Sequence, residues 1–262
     1  MTRLVGILNV TPDSFSDGGQ FVDPERAMAH GRRLVADGAA MIDLGPSSSR
    51  PGATPVAPDE EIRRMAPVFD ALVADGIVVS VDSFQAETQR WALARGAAVL
   101  NDIHGLPDPA MYPMLARSAC RLVVMHRIAR EGAALPTSPE FVLGNIERFF
   151  TERVAALQAA GIARDRLILD PGMGFFLSAN PEVSLGVLRA LPALRARFGL
   201  PLLVSVSRKA FLRTLTGREL SEIGPATLAA ELYAAAHGAD YVRTHDVRAL
   251  RDALVLQDAL RC

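Results

Sequence analysis

The chain has 262 residues, half of them hydrophobic, and its acidic and basic residues nearly balance to a net charge of −1. This length fits one large domain, and the absence of a Lys/Arg block argues against a binder of nucleic acid or membrane surfaces. The two cysteines, Cys120 and Cys262, lack the spacing of a zinc site or a disulfide framework. Without a signal-peptide pattern or an apolar run of membrane length, we expect a cytoplasmic protein.

Short apolar segments alternate with helical ones along the chain. The apolar segments predict eight strands, at residues 4–10, 40–44, 77–82, 97–102, 121–126, 167–170, 202–207 and 241–245. Amphipathic or proline-initiated segments predict helices at 24–36, 59–74, around Trp91, and at 109–117, 139–160, 181–198, 209–215, 225–237 and 247–260. We therefore expect one α/β domain over residues 1–262, a TIM (β/α)8 barrel, with a doubly wound open sheet as the alternative.

Polar residues end the predicted strands, and in such barrels the active site lies at those ends. The residues at the ends are Asn9, Asp43, Asp82, Asn101, Asp102, His126, Asp170, Ser207, Arg208, Lys209, Arg243 and His245. Some of them have structural explanations, since Asp43 could cap or brace a loop, Asp102 could anchor the following turn, and His126 could be a satisfied, partly buried histidine. The whole set at one end of a barrel nevertheless predicts a site.

The residue types at these ends indicate two kinds of ligand group. Acceptors and one amide suit the edge of an aminopyrimidine-like ring, and these are Asp82, Asn101 and Asp170. Charge-assisted donors suit a diphosphate, and these are Arg50, Arg243 and His245. Asn9 offers an oxygen for a hard divalent cation beside that diphosphate. The lack of a P-loop, a G-x-G-x-x-G run or a Ser-His-Asp ordering disfavours nicotinamide enzymes and covalent hydrolases.

The stretch from Asp170 to Phe176 directly follows the sixth strand and reads D-P-G-M-G-F-F. Its glycines let the backbone approach a flat ligand, and its two phenylalanines can form a wall of the pocket. An aspartate before Pro-Gly is also an ordinary turn former. The prediction of a site here therefore depends largely on the polar residues at the other strand ends.

Several motifs together resemble those of dihydropteroate synthases. Residues 6–19, G-I-L-N-V-T-P-D-S-F-S-D-G-G, are similar to the opening signature of that family. The resemblance continues in the family's order through residues 49–53, 81–83, 101–103, 170–175, 206–209 and 243–245. It implies a TIM barrel and a transferase that condenses 6-hydroxymethyl-7,8-dihydropterin diphosphate with 4-aminobenzoate, giving 7,8-dihydropteroate and diphosphate.

The resemblance also implies roles for single residues. The pterin would be held by Asp82, Asn101, Asp170 and Lys209, and the catalytic groups among them would be Asp82, Asp170 and Lys209. The diphosphate would be bound by Asn9, Arg50, Arg243 and His245, with Asn9 also ligating Mg²⁺, the expected cofactor. The aminobenzoate would be bound by Thr11, Phe15, Ser49, Pro51, Phe176, Ser207 and Lys209. The expected partners are these small molecules and a second copy of the chain, in a homodimer formed by the last helices.

The chain departs from the ordinary family pattern at three places. Residues 45–48 read G-P-S-S instead of G-G-E-S, residues 174–181 form a longer loop without the usual lysine, and His104 replaces a serine. These departures are similar to the sulfonamide-insensitive members, although residues 49–52 stay nearer to the ordinary enzymes. We expect the loop of Phe176 to reshape the aminobenzoate pocket so that a bulkier sulfonamide fits poorly. Alternatively, Phe176 only fills a gap between the loop and the barrel.

Two other functions remain open at this point. A methyltetrahydrofolate-binding methyltransferase domain shares such a barrel but would need a corrinoid partner, and the loops at residues 11–19 and 49–52 favour the synthase instead. A pterin-binding paralogue without turnover would have less use for the predicted diphosphate and metal ligands. Asp43, His104 and His126 receive no role from the sequence.

Overall fold

The computed structural model describes residues 2–11, 23–47, 54, 56–128 and 138–260. Its strands are β1 (Arg3–Asn9), β2 (Ala39–Gly45), β3 (Val79–Asp82), β4 (Val99–Asp102), β5 (Arg121–Met125), β6 (Leu167–Asp170), β7 (Leu203–Val204) and β8 (Tyr241–Thr244). Its α-helices are α1 (Pro24–Ala36), α2 (Pro58–Ala74), α3 (Ala86–Ala94), α4 (Tyr112–Arg117), α5 (Pro139–Ala159), α6 (Pro181–Phe198), α7 (Ala210–Thr216), α8 (Gly224–Ala236) and α9 (Val247–Ala259). Short 3-10 turns lie at Pro109–Met111, Arg164–Arg166, Gly174–Phe176 and Leu220–Glu222.

The strands form one parallel sheet that closes on itself. Their order is β6-β5-β4-β3-β2-β1-β8-β7. The two outer strands meet at a parallel bridge between Leu169 and Leu202, where the Leu169 N–H donates to the carbonyl of Pro201 at 2.9 Å. We call this junction the β6–β7 seam. The closure confirms the predicted barrel and excludes the open doubly wound sheet.

Four of the described α-helices, α1, α5, α6 and α9, begin at a capping side chain. Asp23 accepts the N–H groups of Glu25 and Arg26 at the start of α1, and Asn180 accepts that of Glu182 at the start of α6. A proline follows each of these caps, and its fixed φ suits the first helical turn. Proline and capping residues thus account for helix starts that the sequence predicted closely.

The seventh strand is much shorter than predicted. The sequence indicated a strand at 202–207, but β7 covers only Leu203 and Val204. The chain turns immediately afterwards, because Lys209 N–H donates to the carbonyl of Val206 at 3.2 Å and Arg208 takes a left-handed φ of 58°. The apolar run therefore continues beyond the strand into the turn that carries Ser207 and Lys209.

The barrel interior contains a cluster of buried apolar side chains, which are Val5, Met41, Val99, Val123, Ile168, Leu203 and Tyr241. The alternate strand residues point outward and pack on the helices, as the two-residue period of a strand requires. The filled interior leaves the carboxyl ends of the strands as the open face of the barrel. No helix in the described ranges is long and apolar enough to span a membrane.

Candidate active site

A pocket opens at the carboxyl ends of the strands and holds about 360 Å³ of empty space, its open mouth included. Its lining residues come from β3 to β8 and the loops that follow them, and they are Asp82, Asn101, Ile103, Met125, Asp170, Gly172, Met173, Phe176, Ser205, Lys209 and Arg243. The structure therefore brings all four residues predicted to hold the ring into one pocket, together with Phe176 and Arg243.

The guanidinium of Arg243 forms ion pairs with two carboxylates. Its Nε donates to Asp43 Oδ2 at 2.5 Å, and one of its terminal nitrogens donates to Asp82 Oδ2 at 2.9 Å. Asn101 Nδ2 also donates to Asp43 Oδ2, at 3.0 Å. The amide oxygen of Asn101 has no hydrogen-bond partner and is buried. Asp43, which the sequence left without a role, thus orients both a cationic and an amide group of the pocket.

Burial changes the acidity of the two carboxylates that face the pocket. It raises the pKa of Asp82 to about 7, and the charge of Asp43 adds to this shift, while Arg243 opposes it. Burial also raises the pKa of Asp170 to about 6, although a hydrogen bond from the Gly172 N–H opposes it. Carboxyl groups with such pKa values are concentrated at functional sites.

Lys209 enters the pocket from the turn before α7. Burial, followed by the nearby charge of Arg243, lowers the pKa of its ammonium to about 8. Its Nζ lies 4.7 Å from the ring centroid of Phe176 and 5.5 Å from that of Phe175, distances typical of cation–π contacts. The ammonium of Lys209 thus lies against the aromatic wall of the pocket.

The loop after β6 is fixed by a glycine and a buried histidine. Gly172 has a φ of 73°, and its N–H donates to Asp170 Oδ1 at 2.8 Å. His126 Nδ1 lies 3.2 Å from the carbonyl of Pro171, and its Nε2 lies 2.8 Å from the Asn145 amide. Burial lowers the pKa of His126. His126 therefore braces the loop of Asp170. Its ring nitrogens have partners, as the structural explanation from the sequence expected, but the side chain is fully rather than partly buried.

Ser207 and His245 meet where β7 and β8 end. Ser207 Oγ lies 2.9 Å from His245 Nδ1 and accepts the backbone N–H of His245 at 3.2 Å. Behind them stands Glu231 on α8, a buried carboxyl that hydrogen-bonds Ser207 and Thr244. Sequence reasoning missed Glu231, although a single acidic residue within the apolar run L-A-A-E-L-Y-A-A-A was a usable signal.

The amide oxygen of Asn9 suits a magnesium ion that takes most of its ligands from a substrate. Asn9 Oδ1 lies 2.9 Å from the position that a Cβ on Gly45 would occupy, so the glycine leaves room for this amide. Within the described residues, no three His, Cys, Asp or Glu side chains form a metal-binding group. Mg²⁺ commonly binds through few protein oxygens, substrate phosphates and water, so the residues present fit such an ion.

Four residues predicted to bind substrate lie outside the described ranges, namely Phe15, Ser49, Arg50 and Pro51. Thr11 follows the end of β1 and is half-buried. His104 does not line the pocket, and its ring packs on Phe84 with centroids 4.3 Å apart.

Comparisons with known proteins agree on one family. The family model for pterin binding enzymes matches residues 5–245. The chain is 57% identical to dihydropteroate synthase type-2 of Escherichia coli over 98% of this chain and 96% of that one. Among solved structures, dihydropteroate synthase of Xanthomonas albilineans with 4-aminobenzoic acid is 41% identical, with a TM-score of 0.90 over 100% of this chain and 93% of that one. The same enzyme in complex with 7,8-dihydropteroate gives a TM-score of 0.87 at 39% identity, over 100% and 94% of the two chains.

Proposed function

The chain belongs to the family of dihydropteroate synthases, and we propose that its barrel mouth joins 6-hydroxymethyl-7,8-dihydropterin diphosphate to 4-aminobenzoate. The products are 7,8-dihydropteroate and diphosphate. The observation that carries this proposal is the convergence of Asp82, Asn101, Asp170 and Lys209 in one pocket at the ends of four strands or their loops. Both the aminobenzoate and the dihydropteroate of the structural relatives are ligands of this reaction.

The pterin is held by groups that match its donor–acceptor edge. The buried Asn101 oxygen without a partner and the Asp170 carboxylate offer acceptors for ring N–H groups. The Lys209 ammonium offers a donor for the ring carbonyl. Because an unsatisfied buried acceptor costs about 1–3 kcal/mol, Asn101 favours a ligand that supplies an N–H there.

Bond cleavage then depends on charge at both ends of the breaking bond. The methylene C–O bond breaks, and its electron pair leaves with the diphosphate oxygen. Arg50, Arg243 and His245 donate to the departing diphosphate, and Mg²⁺ bound at Asn9 would offset more of its charge. The carboxylates of Asp82 and Asp170 stabilise the cation left on the pterin methylene.

The aminobenzoate nitrogen attacks that methylene, forms the new C–N bond and gives up a proton to the released diphosphate. Ser207 and Lys209 bind near its carboxylate, and the family resemblance assigns Thr11, Phe15, Ser49 and Pro51 to the binding of its ring. Exclusion of water matters because water could otherwise capture the cation. No covalent bond to the enzyme forms in this sequence of steps.

Steady-state turnover with both substrates and Mg²⁺ tests the proposal. We expect dihydropteroate to form, and Asn101→Ala to weaken pterin binding, whereas Asn145→Ala removes an amide that contacts His126 outside the pocket. Saturable pterin binding without any product would contradict the proposal and favour a binding paralogue. A requirement for a corrinoid partner would favour the methyltransferase.

We also propose that the loop of Phe176 makes the enzyme insensitive to sulfonamides. Phe176 is buried, lines the pocket and packs on Phe175 with ring centroids 4.1 Å apart. Its bulk leaves room for the flat aminobenzoate and clashes with the larger substituent of a sulfonamide. Discrimination of this kind needs only about 1–3 kcal/mol.

A homodimer through the last helices is the third part of the proposal. Its support is a set of exposed apolar side chains on or near α7, α8 and α9, which are Leu215, Leu220, Tyr233, Val255, Leu256 and Leu260. Sedimentation should give a dimer, and Leu256→Glu should give monomers, whereas Val73→Glu on α2 should not. A cytoplasmic location stays a prediction.

A further inference from the structure

Glu231 is a buried acid that the reaction described above does not use. It is 2% exposed on α8, behind the ends of β7 and β8. The hydroxyls of Ser207 and Thr244 hydrogen-bond its carboxyl, and its Oε1 has no hydrogen-bond partner. A buried carboxyl is costly unless it is paired, so this position requires an explanation.

The hydrogen bonds of Ser207 connect Glu231 to His245. Ser207 has one hydroxyl proton and two lone pairs, and one lone pair accepts the backbone N–H of His245 at 3.2 Å. Its proton can therefore go either to Glu231 or to His245 Nδ1, which lies 2.9 Å away. The other lone pair accepts a proton from whichever of these two groups does not receive one.

This constraint links the protonation of Glu231 to the tautomer of His245. If Glu231 is ionised and receives the Ser207 proton, a neutral His245 carries its proton on Nδ1 and presents a lone pair at Nε2. One added proton gives either an imidazolium beside a carboxylate or an Nε2–H imidazole beside a neutral Glu231. In both of these states Nε2 is a donor, as binding of an anion requires.

We propose that Glu231 is a positioning residue for the diphosphate end of the site, which sets the protonated nitrogen of His245 through Ser207 and shares with it one exchangeable proton. The inference rests on the proposed function, because it takes His245 as a ligand of diphosphate. Binding of diphosphate is then accompanied by the uptake of one proton by the Glu231–His245 pair.

The surroundings of Glu231 place its titration in the right range. Burial raises its pKa to about 7, and the charge of Asp246 at the start of α9 also raises it. The two hydroxyls and the charge of Arg208, in the turn before α7, oppose the shift. A proton near neutral pH can therefore reside on either member of the pair.

The test follows the ring nitrogens of His245 by 15N NMR, in a protein labelled at its five histidines. Spectra are recorded across pH with and without inorganic pyrophosphate and Mg²⁺, and His245→Asn assigns the signal. In Glu231→Gln we expect the pKa of His245 to fall by about 0.5–1 unit, a three- to tenfold weaker proton affinity, because the carboxylate charge is lost. Binding of pyrophosphate should favour the state of the wild type in which Nε2 of His245 carries a proton. Pyrophosphate should bind less tightly to the variant above neutral pH.

Thr227→Val is the matched control, since Thr227 is a buried polar residue on the same helix whose hydroxyl contacts the Arg208 N–H at 3.4 Å. It should leave the titration of His245 unchanged. If Glu231→Gln does not fold, Ser207→Ala interrupts the same link and should lower the pKa of His245 alike. A His245 titration that is the same in wild type and variant overturns the inference, even in an active enzyme. Absent turnover with an intact coupling would instead count against the proposed function.

Discussion

The Nε of Arg243 donates to Asp43 Oδ2 at 2.5 Å, although 200 positions separate the two residues in the sequence. This bond joins the end of β8 to β2 across β1, and the same guanidinium also reaches Asp82 on β3. The charge of Arg243 is thus compensated before any substrate arrives. A diphosphate that binds Arg243 must therefore share it with two carboxylates.

Asp43→Asn should move the acid limb of the kcat/KM profile to lower pH. The charge of Asp43 raises the pKa of Asp82, so its removal lets Asp82 ionise at lower pH. The measurement is turnover as a function of pH. Asp102→Asn is the matched control, because the charge of Asp102 raises the pKa of Asp82 less and should move the limb less. A larger shift in Asp102→Asn than in Asp43→Asn would contradict the conclusion that the charge of Asp43 raises the pKa of Asp82.

Asp170→Asn should make the protein more stable at pH 8 and much less active. The pKa of Asp170 in the folded protein, about 6, lies above the ordinary value of 3.8, so the folded protein binds this proton more tightly than the unfolded chain does. Stability therefore falls as pH rises from about 4 to about 6, and the penalty, roughly 3 kcal/mol, is complete above that range. The amide removes this penalty.

Denaturant unfolding at pH 4 and pH 8 checks this prediction. The difference between variant and wild type should be small at pH 4 and large at pH 8, while turnover at pH 8 falls at least about 100-fold. Asp165→Asn changes an exposed aspartate just before β6 and should alter neither quantity. Equal stability of Asp170→Asn and wild type at both pH values would rule out the buried charge as the cause.

Gly172→Ala should disrupt the loop of Asp170 more than its backbone angle alone explains. A Cβ at Gly172 would lie 2.3 Å from the carbonyl oxygen of His126, and the φ of 73° is already unfavourable for alanine. Gly96 has a φ of 81° with nothing within 4 Å of such a Cβ, so Gly96→Ala isolates the backbone strain, about 1–2 kcal/mol. The Tm of thermal unfolding and kcat/KM should both fall further in Gly172→Ala than in Gly96→Ala. Equal losses in the two variants would disprove the clash.

Phe176→Leu should increase inhibition by sulfamethoxazole about tenfold or more, with a smaller change in the KM for aminobenzoate. A smaller side chain relieves the proposed clash, which the flat substrate does not encounter. Phe175→Leu makes the same change in the adjacent ring, which does not line the pocket, and should leave inhibition unaltered. If Phe176 only fills a gap, its variant loses stability without becoming more sensitive.

The sequence predicts the barrel and most of the pocket because both depend on local patterns. Apolar strands followed by polar residues such as Asp82 and Asp170 place those side chains at one face, whatever the details of packing. Long-range pairing is different, since nothing near Asp43 in the sequence indicates that Arg243 and Asn101 share its oxygen. The end of β7 was also missed, because the apolar run extends through a turn set by the φ of Arg208.

The β6–β7 seam has a consequence for how the loop after β6 can evolve. Every other pair of adjacent strands in the barrel is joined by two to six residue pairs, whereas β6 and β7 are joined by the single Leu169–Leu202 bridge. Residues inserted after Asp170, the last paired residue of β6, leave both the β5–β6 pairs and the seam bridge unchanged. The loop that we propose to exclude sulfonamides can therefore change in length while the sheet that holds Asp82 and Asp170 keeps its register, so the two proposed properties, inhibitor escape and catalysis, can evolve separately.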